Sequence, residues 1–84
     1  MEPLVEIVKG MVKGHFPGAE TDLEEYTDGR VHGTIVWDGF DDLDHDDRQQ
    51  VLRDYLRQEL GAEFRNVGVI LLYSPREMQI MQAA

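Results

Sequence analysis

The stretch Ile35-Val36-Trp37-Asp38-Gly39-Phe40-Asp41-Asp42-Leu43-Asp44-His45-Asp46-Asp47-Arg48 carries the chain from a strand into a helix. Val31 to Trp37 is strand-like, and Ile35 to Trp37 is its apolar end. A short acidic loop follows. Asp44 then has the side chain of a helix N-cap, and Asp46 and Asp47 fall in the first turn, near the positive end of the helix dipole. The helix runs on through an apolar stripe of Val51, Leu52, Tyr55, Leu56 and Leu60, with Arg48, Arg53 and Arg57 off that stripe. Gly61 is the expected C-terminal cap.

The same logic extends upstream. Pro3 suits a first helical turn, and Leu4, Val8, Met11 and Val12 recur at helical spacing with Ile7 beside them. Lys9 and Lys13 complement the helix dipole, and Gly14 is the natural cap. Ala19 to Tyr26 reads as a polar edge strand. Thr27-Asp28-Gly29-Arg30 is a hairpin turn, because Asp-Gly tolerates the positive φ values of a type I′ turn. Downstream, Val67 to Tyr73 (VGVILLY) is apolar without alternation, as for a strand covered on both faces or lying at an interface. Ser74-Pro75-Arg76-Glu77 combines a capping box with proline at the first helical position, and Met78, Ile80 and Met81 give the last helix an apolar side.

The predicted order is therefore α-β-β-α-β-α. A tight hairpin makes the first two strands antiparallel, while a helical crossover makes the second and third parallel. The fold class is α+β, a three-stranded mixed sheet with helices packed against it. At 84 residues the chain is expected to be one domain, 1–84, with a stability of roughly 5–8 kcal/mol.

Composition narrows the function classes. The chain has no cysteine, which excludes disulfides, thiol catalysis and cysteine-ligated metal and fits a cytoplasmic location. Met1-Glu2-Pro3 lacks a basic leader region, and no run is long enough to span a bilayer. The net charge of −9 opposes binding to nucleic acid or anionic membrane. Six carboxylates lie between Asp38 and Asp47. Asp42, Asp44 and Asp46 match positions 1, 3 and 5 of a calcium loop, but Asp47 replaces the glycine at 6 and Arg53 the glutamate at 12. These acids read as caps and solvated charge. His15, His32 and His45 share no metal-ligand spacing. No nucleophile motif or phosphate loop is present, so neither enzymatic activity nor a cofactor is expected.

The element order is also that of class II KH domains, whose G-x-x-G loop is missing here. A nucleic-acid-binding, KH-like transcriptional regulator using Arg48, Arg53 and Arg57 is the alternative reading. A more specific likeness lies in Ile35–Phe40, Arg48, Leu56 and Leu60, and Tyr73-Ser74-Pro75-Arg76-Glu77, with Phe16-Pro17 after the first helix. Their order and spacing resemble the BolA-like family. That resemblance implies a KH-like fold, no enzymatic activity, and partnership with monothiol glutaredoxins through a shared two-iron, two-sulfur cluster, with stress-response and transcriptional roles. The family's cluster ligands are a histidine at the start of the last strand and a His or Cys between the first two strands. Neither carries over: Asn66 or its neighbour stands at the first place, and the hairpin has no His or Cys. Arg48-Gln49-Gln50 also departs from the family's R-H-R helix start, and Trp37 replaces a small residue. The resemblance thus implies a BolA-like accessory or regulatory protein acting by protein contact. Trp37, Phe40, Arg48, Asn66 and Tyr73 are the candidate partner surface. The apolar last strand also allows a homodimer.

Overall fold

A computed structural model describes residues 2–83. The elements follow the expected order. They are α1 (Leu4–His15), β1 (Glu20–Glu25), β2 (Val31–Val36), α2 (His45–Leu60), β3 (Val67–Tyr73) and α3 (Pro75–Ala83). Two 3-10 helices, Asp38–Asp42 and Gly61–Asn66, flank α2.

The sheet order is β1-β2-β3, antiparallel between β1 and β2 and parallel between β2 and β3. Leu23, Val31, Ile35, Ile70 and Leu72 are buried with Val8 and Val12 of α1 and Leu52 and Leu56 of α2, and together they form the core. The predicted caps close α2 at both ends. The Asp44 carboxylate accepts from the Asp47 N–H at 2.8 Å. Gly61 caps α2 at φ 59°, in the left-handed region that glycine adopts without a Cβ clash.

Two expectations need correction. Gly14 does not end α1; the helix continues to His15, and Phe16 is the capping residue. The extension lets the His15 ring stack on Tyr55 at 3.8 Å and seats Phe16 in the core. Of the two readings of β3, coverage on both faces does not hold. Ile70 and Leu72 face the core, whereas Val69 and Leu71 are 65% and 46% exposed. Burial alternates along the strand, and the sequence does not because the exposed row is apolar too. A bulge sits at its start. Val31 pairs with Val67 but Gly33 pairs with Ile70, so β3 spends one residue more than β2. The strand changes phase there, and both of its faces are apolar.

Candidate contact surface

Of the five residues predicted as a partner surface, four gather at one end of the sheet. Trp37 donates its backbone N–H to the Tyr73 carbonyl at 2.9 Å, its ring meets Phe40 at 5.2 Å, and the Arg48 guanidinium lies 6.0 Å from the Phe40 ring. Asn66 is not with them. It precedes Val67, which pairs with Val31 at the opposite end of β2.

The cluster of four is mostly interior, which corrects the expectation of an open surface. Phe40 is fully buried, in edge contact with Trp37 and tilted against Phe16. Trp37 is half-buried and donates its indole N–H to the Pro17 carbonyl at 2.9 Å. Arg48 is only 4% exposed, although its spacing placed it off the apolar stripe. Arg48 Nε donates to the Leu43 carbonyl at 2.8 Å, and Nη1 to the Leu72 carbonyl at 3.1 Å. Its two terminal nitrogens grip Glu77 in a fork, at 2.7 and 3.2 Å. A buried cation needs such a complete set of acceptors to offset its lost hydration.

Glu77 is also the third residue of α3, and the predicted capping box is present. Glu77 Oε1 accepts from the Ser74 N–H at 2.8 Å, and Ser74 Oγ accepts from the Glu77 N–H at 3.3 Å. Ser74 Oγ in turn donates to Asp41 at 3.1 Å. The Arg48 guanidinium, and then the Ser74 N–H, hold the Glu77 carboxyl down to about 2. One network therefore ties α2, the Asp38–Asp42 turn, β3 and α3 together. Its role is positional.

The open surface lies just beyond it. Val69, Leu71 and Tyr73 alternate along the outward face of β3. Tyr73 borders Ile80 and Met81 of α3 around a shallow hollow of about 220 Å³ that also touches His45 and Glu77. Ile80 and Met81 are 64% and 50% exposed, so the last helix does not bury its apolar side. Apolar residues thus run from β3 onto α3 as an exposed patch. Meanwhile the outer edge of β3 is closed. Gln49 donates to the Ile70 carbonyl at 2.8 Å, and Arg48 takes the Leu72 carbonyl. These carbonyls point away from β2, and side chains from α2 occupy the place where another strand would pair. A partner here would meet side chains.

The far end of the sheet tests the ligand set implied by the family resemblance. His32 is the histidine on β2 nearest the start of β3. Its Nδ1 accepts from the Val69 N–H at 3.0 Å, which the bulge deprives of a ladder partner. With Nδ1 accepting, Nε2 carries the proton and donates to Asp28 at 3.0 Å. Asp28 also accepts from the Arg30 N–H, and these two bonds, the Arg30 bond foremost, lower its pKa. The His32 ring lies so close over Gly68 that a Cβ there would collide with it. Both ring nitrogens are thus engaged, and Asn66 offers an amide. This donor set does not fit an iron–sulfur cluster, which takes thiolate or free imidazole. The basic patch of the alternative reading is also reduced. Arg48 is buried and drops out of it, whereas Arg53 and Arg57 stay exposed, both 5.2 Å from the Phe64 ring.

No family model matches the sequence, and no curated protein matches it. Among solved structures, BolA1 from Arabidopsis thaliana superposes with a TM-score of 0.70 at 20% identity, covering 92% of this chain and 98% of that one. The fold is BolA-like. The BolA domain of SufE1 from Arabidopsis thaliana gives the same values: TM-score 0.70, 20% identity, 92% of this chain and 98% of that domain. The BolA-like fold places Asn66 and His32 at one end of the sheet and the apolar β3–α3 surface at the other. Arg48 and Glu77 form its internal brace. The brace was missed from the sequence because its partners lie 29 residues apart. The signal available was an arginine at a helix start together with a capping-box glutamate.

Proposed function

We propose that this chain is a BolA-like accessory or regulatory protein that works by protein–protein contact and catalyses nothing itself. The observation that supports it is the exposed apolar row Val69–Leu71–Tyr73, continued by Ile80 and Met81, on a BolA-like fold. A monothiol glutaredoxin in the cytoplasm is the partner that the resemblance favours, in iron–sulfur or stress regulation. The contact would form without a shared cluster held by Asn66 or His32.

Co-expression with the host's monothiol glutaredoxin tests this. The expected result is a colourless complex that the outward-facing Leu71→Asp substitution abolishes while the far-ultraviolet circular dichroism stays unchanged. A complex with visible cluster absorption would refute the reading of Asn66 and His32. Equal capture by the Leu71→Asp variant would refute the surface. No capture would remove glutaredoxin as the partner.

A further inference from the structure

A second surface lies on the outward face of β1 and β2, beside α3. Two adjoining hollows, of about 340 and 260 Å³, share Glu20, Val36 and Met78 and form one groove between the sheet and α3. Its floor is apolar, Val36 from the sheet and Met78 from the helix. Its rim carries Glu20, Asp22 and Asp38. Glu20 and Asp22 alternate along β1, so both carboxylates project from the same side. No Lys or Arg lines either hollow, and no ion pair among the described residues involves these three acids. Arg76 borders Asp38 from a separate hollow without pairing to it.

We propose that this groove receives a lysine- or arginine-bearing segment of a partner protein, with an apolar residue seated over Val36 and Met78. The inference deepens the protein-contact reading and rests on it, while naming a surface separate from the β3–α3 row. Charge complementarity decides the occupant. Lysine and arginine stems lie along apolar surface while their heads reach carboxylates, so one segment satisfies both floor and rim. A nucleic acid or anionic membrane would meet three carboxylates without a counter-charge. In a second copy of the chain, the same groove brings no cation to meet the acids.

The test is titration of the isotopically labelled protein with a synthetic peptide alternating lysine and leucine. It binds, and the Val36 and Met78 methyl signals shift together. Binding weakens with salt. Glu20→Lys with Asp22→Lys weakens it by about tenfold or more. Glu59→Lys with Glu63→Lys makes the same change in net charge on exposed sites away from the groove, and leaves binding within a fewfold of the parent. Circular dichroism verifies that both variants fold. Equal loss in the two variants overturns the groove, because the peptide then responds only to net charge. Shifts confined to other methyl groups, or no binding at low salt, overturn it as well. So does peptide-independent dimerisation that protects the same methyl groups. The titration contains no glutaredoxin, so its failure alongside successful capture refutes the groove alone. Failure of both removes the groove and the glutaredoxin partnership together.

Discussion

Arg48 serves four elements from one buried position. Its guanidinium meets the carbonyls of Leu43 and Leu72 and both oxygens of Glu77, and its removal leaves the Leu72 carbonyl unpaired in the interior while Glu77, 30% exposed, turns to water. Arg48→Ala is therefore expected to cost about 2–3 kcal/mol, from the buried carbonyl left without a donor and the fork lost from Glu77. That is a large share of the stability of a domain this small, and urea denaturation reads it directly. Arg48→Lys keeps the charge but loses the planar fork, so it recovers only part of the loss. A midpoint for Arg48→Ala within experimental error of the parent would refute the brace. Gly68 has a comparable local necessity, since the His32 ring covers it and completes the bulge.

At the scale of elements, α3 depends on Glu77 twice: on its bond to the Ser74 N–H and on its fork with Arg48. Its own apolar side anchors it little, because Ile80 and Met81 face solvent. The pH dependence follows. The Glu77 carboxyl is lowered in the folded chain from its ordinary 4.5 to about 2. A depressed acid stabilises the fold in full above the unfolded value. That contribution is lost as pH falls from about 4.5 toward 2. Thermal melts of the parent and of Glu77→Gln across this window are the check. The variant is expected to be less stable at neutral pH, with the gap closing as acid protonates the parent's carboxylate. A gap independent of pH would show that the fork does not depend on ionisation. For β3, strand alternation turns an unbroken apolar run into one buried and one exposed row, and the bulge sets its register against β2.

For the whole molecule, the charge of −9 sets a background of self-repulsion. The exposed ion pairs, Glu6–Lys9 and Asp54–Arg57, are long at 3.6 Å and offset little of it. Moderate salt is therefore expected to raise the thermal midpoint, since it screens the repulsion more than it weakens the sheltered Arg48–Glu77 pair. A midpoint that falls with added salt would place more of the stability in surface pairs. The charge is also unevenly placed: β1 presents acids outward, while β3 at the opposite edge of the sheet presents Val69 and Leu71.

Local signals made the element order legible without coordinates. Helical spacing marked α1 and α2, Asp28-Gly29 the hairpin, Asp44 and Gly61 the ends of α2, and Ser74 with Glu77 the start of α3. Each is an interaction within a few residues, so chain order alone determines it. The candidate contact residues were only partly legible. Trp37, Phe40 and Arg48 marked the right end of the sheet, but spacing along α2 could not tell that Arg48 turns inward to a glutamate beyond the next strand. Nor could VGVILLY disclose which of its residues face water, because the answer depends on a bulge set by pairing with β2. Sequence by itself determined the elements, their order and the parallel crossover. Tertiary structure alone decided the buried brace, the closed edge of β3 and the exposed β3–α3 row, because burial and pairing join residues distant along the chain.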